Sequence, residues 1–249
     1  MPDEKTELGD FTPQASAYAV ARPKYPDKLI DRLADRVGVC AGDPVCDVGA
    51  GTGICTGQLA GRGFQVSALE PNETMRAMAD DVSNVTWSDG SFESTGLPDG
   101  SQAWIVAAQA FHWADPPHAL PEMRRILRPD GHFTAMWNDR VNEASDVLMW
   151  TRDAIHRHVP EFDDHYRHAD WPDVLQSTGD FTDPHSDIED QVITMTRQRY
   201  LNLWRSHNRL NTLAGPVAIV AFFDDLQEYL TTDSVDVPYR CFSWTVRAT

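Results

Sequence analysis

The stretch VCDVGAGTG, residues 45–53, decides the fold, because it joins a short apolar run to a glycine-rich turn and the start of a helical segment. Glycines at positions 49, 51 and 53 permit positive φ angles and a close approach of the backbone to a ligand. The helix that follows directs its N-terminus at the same place. This pattern predicts a strand–turn–helix unit whose turn binds a ligand.

The segments on either side of the turn alternate between two spacings of apolar residues. Apolar runs predict strands, and helical spacing of apolar residues predicts helices between them. The expected strands are Pro44–Val48, Val66–Leu69, Val85–Trp87, Trp104–Ala108 and Phe133–Trp137, and the expected helices are 27–37, 52–62, 73–80 and 117–127. Strands that alternate with helices are typical of a mostly parallel sheet.

The pattern changes after Asn138. Residues 144–158, 198–210 and 217–231 have helical spacing, whereas Val192–Thr196 and Val235–Val246 are typical of strands. We therefore expect an α/β fold with a Rossmann-like, seven-stranded, mostly parallel sheet, an antiparallel last strand and a helical cover. The predicted division is a ligand-binding core with an N-terminal closing segment at 1–138, and a cover and substrate region with the last two strands at 139–249.

Two acidic residues indicate which ligand the turn accepts. Asp47 ends the first predicted strand, and Glu70 ends the second, where an acid can accept both hydroxyls of a ribose. A dinucleotide-binding turn would need a third glycine, but Ile54 or Thr56 occupies that position in the two possible registers. Because a carboxylate is a poor neighbour for a pyrophosphate and a good one for an ammonium group, the pattern favours S-adenosylmethionine (SAM) over a nicotinamide dinucleotide.

The sequence resembles class I SAM-dependent methyltransferases, in particular the small-molecule branch that includes trans-aconitate and ubiquinone/menaquinone enzymes. The resemblance rests on a set of motifs: SAYAVARPKYP at 16–26, DVGAGTG at 47–53, LEP at 69–71, GSFESTGLPDGS at 90–101, AAQAFHWAD at 107–115 and EMRRILRPDG at 122–131. It implies cofactor contacts from Tyr18, Arg22, Asp47, Gly49, Ala50, Gly51, Gly53, Glu70, Pro71, Met75, Ser91, Phe92 and Gln109. One position departs from the pattern, since Ser91 stands where many relatives carry Asp.

His112 is the best candidate for a catalytic group, because it follows the carboxyl end of a predicted buried strand, where ligands of α/β sheets bind. It is either a general base or a packing residue that shapes the cofactor pocket. The expected substrate-contacting residues are Trp113, Trp137, Asn138, Tyr25 and His207. Core packing is the alternative for Trp137, a solvated helix face for His207, and for Arg22 an anionic substrate or a surface position.

Composition excludes several classes of function. With 21 Lys and Arg against 38 Asp and Glu, the net charge of −17 disfavours nucleic acid and anionic membranes as partners. The four cysteines form no CxxC pair, and the spacings of His156, His158, His165 and His168 match no closed zinc pattern, so no metal is expected. The acidic, polar start of the chain has no apolar segment, which leads us to expect a cytoplasmic protein.

These observations predict a SAM-dependent methyltransferase that modifies a small molecule. N- or O-methylation of an aromatic heterocycle or a carboxylate in secondary metabolism is the expected chemistry, and a non-catalytic SAM-binding regulatory module is the alternative. A nucleic-acid amine methyltransferase would carry an Asn/Asp-Pro-Pro-Tyr/Phe tetrapeptide after the fourth strand. Here Asp115-Pro116-Pro117-His118 lacks the aromatic residue and comes too late.

Overall fold

A computed structural model describes residues 12–163 and 169–249. The helices are α1 (Ala15–Ala21), α2 (Asp27–Val37), α3 (Ile54–Ala60), α4 (Glu73–Arg76), α5 (Pro116–Ile126), α6 (Asp146–His158), α7 (Trp171–Gln176), α8 (Arg197–Arg205) and α9 (Asn208–Tyr229). The strands are β1 (Pro44–Val48), β2 (Gln65–Leu69), β3 (Val85–Ser88), β4 (Gln102–Ala108), β5 (Leu127–Arg140), β6 (Phe181–Thr196) and β7 (Ser234–Ala248). Within the described residues, 3₁₀ turns lie at Thr12–Gln14, Phe111–Trp113 and Asn142–Ala144.

The seven strands form one sheet in the order β3-β2-β1-β4-β5-β7-β6. Strands β1 to β5 pair in parallel, with β1 between β2 and β4. The strand β7 runs antiparallel to β5, because Thr134 contacts Thr245, whereas Val141, just past the end of β5, donates to the carbonyl of Pro238, earlier in β7. The predicted Rossmann-like, mostly parallel sheet with an antiparallel last strand is confirmed. Its strand order reverses at β1 and β4, the position where ligands of such sheets bind.

The described residues divide into two compact units. The core unit comprises residues 24–138, 169–189 and 241–249, and the helical unit comprises residues 12–23, 139–163 and 190–240. These boundaries differ from the predicted 1–138 and 139–249. The N-terminal helix α1 groups with the helical unit. Helix α7, most of β6 and the end of β7 group with the core unit, because these parts of β6 and β7 pair in the same sheet as β1 to β5.

Alternation along the strands builds the core unit in three layers. On one face, Val45, Val66 and Trp104 pack against the apolar stripe of α2, whereas on the other face Ile105 and Phe133 pack against α5 and α7. Helix α2 ends at Val37 and is followed by Gly38, which adopts the left-handed conformation common at helix C-termini. Both faces of the sheet are thereby covered, and the ends of its strands remain for a binding site.

The helical unit has a separate apolar core. Tyr200, Leu203 and Trp204 of α8 pack with buried residues of α6 and α9. The rings of Trp150 and Tyr229 stack at a centroid distance of 4.0 Å. No helix within the described parts of the chain has both the length and the apolar character that crossing a membrane would require.

Several elements differ from the sequence expectation. The strand β6 begins at Phe181 rather than at residue 192, because its polar first half has no apolar run to mark it. The break between the last two helices falls at Ser206 and His207, not after residue 210, and α9 bends at Gly215, whose φ of 64° precedes Pro216. Helices α1 and α7 were not predicted, since both are short and lack a full apolar repeat.

Candidate functional site

The glycine turn lies at the end of β1 in the core unit, as the sequence predicts. Gly49, Gly51 and Gly53 all have positive φ angles, of 71°, 59° and 85°. The backbone N–H groups of Gly49 and Ala50 both donate to the carbonyl of Leu69, which ends β2. A Cβ atom at Gly49 would lie 2.6 Å from the Cβ of Ala110, so only glycine fits between this turn and the end of β4. The turn is therefore fixed against both neighbouring strands.

Asp47 is fully buried at the end of β1. Its Oδ2 accepts a hydrogen bond of 2.6 Å from the hydroxyl of Thr56, the third residue of α3. Its Oδ1 is buried without a hydrogen-bond partner in the described part of the chain. Burial, together with the negative charge of Glu70, raises the pKa of this carboxyl to about 7, although the hydrogen bond from Thr56 opposes the shift. A cation near Oδ1 would stabilise the ionised form.

Glu70 follows β2 and reaches the glycine turn. Its Oε2 accepts from the backbone N–H of Gly51 and its Oε1 from that of Asn72, both at 2.9 Å. Burial raises the pKa of Glu70, and the two N–H groups oppose that shift. Each carboxylate oxygen has a second lone pair, so the fixed carboxylate can also accept two ligand hydroxyls. Arg76 donates to the backbone carbonyl of Glu70 and holds the same segment.

The predicted adenine-binding loop lies beside this turn. Phe92 is buried, its ring packs edge-on against Phe111 at 5.4 Å, and its edge lies 3.5 Å from the position of a Cβ at Gly49. Ser91 closes a small turn, in which its hydroxyl accepts from the N–H of Glu93 at 3.3 Å. Met75 is also buried, and its methyl group lies 3.6 Å from the position of a Cβ at Gly51, whereas Pro71 is exposed.

Gln109 ends β4 in a strained conformation, with a φ of 59° although it is not glycine. Its N–H donates to the carbonyl of Met136, and its Oε1 accepts from the backbone N–H of Asn138, both at 2.8 Å. The side chain thus ties the ends of β4 and β5 together. Strain of this kind is concentrated at binding and catalytic sites, where surrounding contacts hold it in place.

His112 lies in the 3₁₀ turn that follows Gln109. The indole N–H of Trp137 donates to its Nδ1 at 3.2 Å, and the imidazole ring packs at a tilt against the ring of Trp113, with the ring centres 4.8 Å apart. Because an indole N–H can only donate, the neutral imidazole carries its proton on Nε2. In this tautomer Nε2 is a hydrogen-bond donor. The contact therefore favours a shaping or donating role for His112 over the general base that the sequence also allows.

The other predicted residues of the core unit divide by exposure. Trp137 is fully buried and stacks on Trp171 at 4.3 Å, so it packs in the core as the alternative interpretation states, and its link to the site is the bond to His112. Trp113 and Asn138 are half-buried at the strand ends. Tyr25 is buried just before α2, where its backbone N–H and carbonyl both bond the side-chain amide of Gln58.

Three predicted site residues belong to the helical unit. Arg22 lies 4.8 Å from the ring centre of Tyr18 and donates to the hydroxyl and carbonyl of Ser206. His207 is buried rather than solvated, since it caps α9 by accepting from the N–H of Leu210 at 3.3 Å and stacks on Trp204. The expectation of an exposed helix face is wrong at this position, because the residue falls between two helices.

Sequence reasoning missed two contributors to the turn. Thr56 was weighed only as a missing glycine, and Ala110 had no motif to mark it. Both are identified only by the packing of α3 and β4 against the turn. Among residues 12–163 and 169–249, no group of three or more His, Cys, Asp or Glu side chains is arranged to hold a metal ion. Of the histidines considered for zinc, His165 and His168 lie outside the described residues.

Residues 46–135 match a family model described as a methyltransferase domain. The matched part of the chain contains the glycine turn, Glu70 and His112. An uncharacterized methyltransferase of Mycobacterium tuberculosis is 36% identical over 144 residues, which cover 57% of this chain and 56% of the relative. The chain thus spans little more than half the length of that curated relative.

Two solved structures share the fold. A protein described as a candidate methyltransferase from an antibiotic biosynthesis pathway of Anabaena variabilis has a TM-score of 0.63 and 21% identity, covering 90% of this chain and 98% of its own. Phosphoethanolamine N-methyltransferase 2 of Haemonchus contortus, in complex with S-adenosyl-L-methionine, has a TM-score of 0.55 and 16% identity, covering all of this chain and 60% of its own. At these identities the likeness concerns the fold.

Proposed function

We propose that the protein is a SAM-dependent methyltransferase that modifies a small molecule. The observation that carries the proposal is the pair of carboxylates at neighbouring strand ends, Asp47 and Glu70, beside a turn that lacks the third glycine of the dinucleotide-binding motif. The methyltransferase domain at 46–135 and the SAM complex of a protein with the same fold support it. The finer assignment, N- or O-methylation in secondary metabolism, draws support from the pathway named for the Anabaena protein.

The residues present suit SAM by their chemistry. Glu70 would accept the two ribose hydroxyls, because its oxygens are already oriented by backbone N–H groups. The buried Oδ1 of Asp47 has capacity to accept from an ammonium group. Phe92, Met75 and Ser91 would border the adenine, while Gly51, whose Cβ position is crowded only by the methyl group of Met75, would let the backbone approach the ligand. No described residue of this turn offers the cationic contact that a pyrophosphate would need.

The cofactor, when bound, supplies an electrophilic methyl group that an acceptor atom attacks in line. The protein then has to orient the acceptor and exclude water. His112 would serve this purpose as a donor through Nε2, with its ring fixed by Trp137 and Trp113. Gln109 keeps the ends of β4 and β5 in register next to it. Tyr18, Arg22 and His207 remain proposed cofactor and substrate contacts.

Calorimetric titration with SAM, S-adenosylhomocysteine and NADH tests the cofactor. We expect saturable binding of the two adenosyl ligands and none of NADH, and binding of NADH alone would reject the proposal. Transfer of labelled methyl groups from SAM to a panel of carboxylates, phenols and heterocyclic amines tests the activity. SAM binding without turnover of any acceptor would favour the non-catalytic regulatory module.

The donor role of His112 has its own test. Gln keeps an amide N–H near the position of Nε2, so we expect the His112→Gln variant to retain turnover within about tenfold, whereas His112→Ala loses more turnover than SAM affinity. A general base would be lost in both variants, and its removal typically lowers rates about 10²–10⁴-fold. If both variants lose turnover equally and severely while their SAM affinity is unchanged, His112 acts as a general base instead.

A further inference from the structure

The helical unit contains a group of arginines around one buried phenol. Arg140 at the end of β5 faces Tyr239 of β7 across the sheet, since the neighbouring Val141 donates to the carbonyl of Pro238 at 2.9 Å. The guanidinium carbon of Arg140 lies 4.3 Å from the ring centre of Trp204. Among the described residues, the hydroxyl of Tyr239 is buried and has no acceptor for its proton.

Two further arginines contribute positive charge to the same place. Arg199 donates to the backbone carbonyls of Ala21 and Arg22, at 3.2 and 3.4 Å, and Arg22 donates to Ser206. Burial raises the pKa of Tyr239, and the positive charges of Arg140, Arg22 and Arg199 oppose that increase. Of the three arginines, Arg140 lies directly opposite Tyr239 in the pairing of β5 with β7.

Two arginines of this group, Arg140 and Arg199, have no acidic partner among the described residues. In the described parts of the chain, no carboxylate lies within 4 Å of the guanidinium groups of Arg140 or Arg199. Other arginines of the helical unit do have such partners: Arg152 with Glu143, Arg157 with Asp225 and Arg240 with Asp190. In a protein with a net charge of −17, half-buried arginines without a carboxylate are unexpected. Partial burial of a cation is costly unless an anion compensates it.

We infer that Arg140, supported by Tyr239 and Trp204, binds the carboxylate of a small-molecule ligand within the helical unit. This inference does not depend on the proposed function. A guanidinium group matches both oxygens of a carboxylate with two parallel N–H groups. Stacking on Trp204 fixes the plane of Arg140, and the Tyr239 hydroxyl supplies a donor without an acceptor.

The test uses simple ligands and the full-length protein without SAM. Calorimetric titrations with benzoate, succinate, inorganic phosphate and the neutral analogue benzamide give the affinity of each. We expect both carboxylates to bind and benzamide not to bind. The Arg140→Gln variant should lose roughly 10–100-fold in carboxylate affinity, the loss typical of a charge-assisted hydrogen bond. Arg152→Gln, which removes a half-buried arginine paired with Glu143, should bind as the wild type does.

Two further variants guard against loss of folding. Arg140→Lys keeps the charge but not the planar pair of donors, so its affinity should lie between those of the wild type and Arg140→Gln. Tyr239→Phe removes the hydroxyl in a position where Phe fits, and it should also weaken binding. The inference is overturned if the wild type binds no carboxylate more tightly than benzamide, if phosphate binds as tightly as the carboxylates, or if a folded Arg140 variant binds like the wild type. Methyl transfer is measured separately, so its failure leaves this result interpretable.

Discussion

The core unit and the helical unit both bury ionisable groups, but of opposite charge. At the strand ends of the core unit, Asp47 and Glu70 are desolvated acids whose pKa values are raised. In the helical unit, Arg140 and Arg199 lie around Tyr239 without a carboxylate partner in the described residues. A desolvated acid suits a cationic ligand, and an unbalanced arginine suits an anionic one. The two units are therefore suited to ligands of opposite charge.

Replacement of Glu70 by Ala should have the largest effect. It removes the acceptor for two ribose hydroxyls and leaves the N–H groups of Gly51 and Asn72 without their partner. Hydrogen bonds to charged groups are worth about 1.5–3 kcal/mol each, so SAM affinity should fall roughly 10²–10⁴-fold in calorimetry. Glu73→Ala, which removes an exposed acid three residues later, is the matched control. If the Glu70→Ala variant binds SAM as tightly as the wild type, this carboxylate does not contact the cofactor.

The glycine turn allows a sharper comparison within the core unit. Gly49→Ala combines a positive φ with a Cβ placed 2.6 Å from Ala110, so we expect the free energy of unfolding to fall by roughly 2–5 kcal/mol. Gly57→Ala, in the interior of α3 with nothing within 4 Å of the added methyl, should instead raise it by about 0.5–1 kcal/mol. Urea denaturation of both variants measures the difference. A Gly49→Ala protein as stable as the wild type would show that the turn and Ala110 can separate.

These features also show how far the sequence determines the site. The turn glycines, Asp47 and Glu70 could be predicted, because each stands at a fixed offset from the end of an apolar strand. Ala110 and Thr56 could not, since their contacts depend on how β4 and α3 pack against the turn. The bond between Trp137 and His112 joins residues 25 positions apart on different elements, and no local pattern encodes it. Likewise, the pairing of Arg140 with Tyr239 depends on the register of β5 and β7.

The raised pKa of Asp47 predicts a dependence of stability on pH. As pH rises from about 4 to about 7, the unfolded chain releases this proton before the folded protein does, so Asp47 lowers the stability of the wild type across that range. Asp47→Asn is neutral at every pH and keeps an acceptor for the Thr56 hydroxyl. Its stability relative to the wild type should therefore increase by roughly 2–4 kcal/mol between pH 4 and pH 7 and then level off.

Denaturation of Asp47→Asn and the wild type at several pH values measures this difference, with Asp99→Asn as the control at an exposed acid of the same unit. A difference that does not change with pH would mean that Asp47 is ionised throughout. SAM affinity of the wild type should rise over the same range, because the ionised carboxylate attracts the ammonium group more strongly.

The smallest predicted effect lies in the helical unit, at the cap of α9. His207 accepts from the N–H of Leu210 and also packs against Trp204, so its replacement by Ala removes both contributions. Asn is among the best N-cap residues and lacks the ring, so His207→Asn keeps the cap and loses only the packing. We expect His207→Ala to be less stable than His207→Asn by about 1 kcal/mol, measured by thermal unfolding. Equal stabilities of the two variants would show that His207 contributes through packing alone. Asn72→Ala, which removes the equivalent cap of α4, provides the comparison in the core unit.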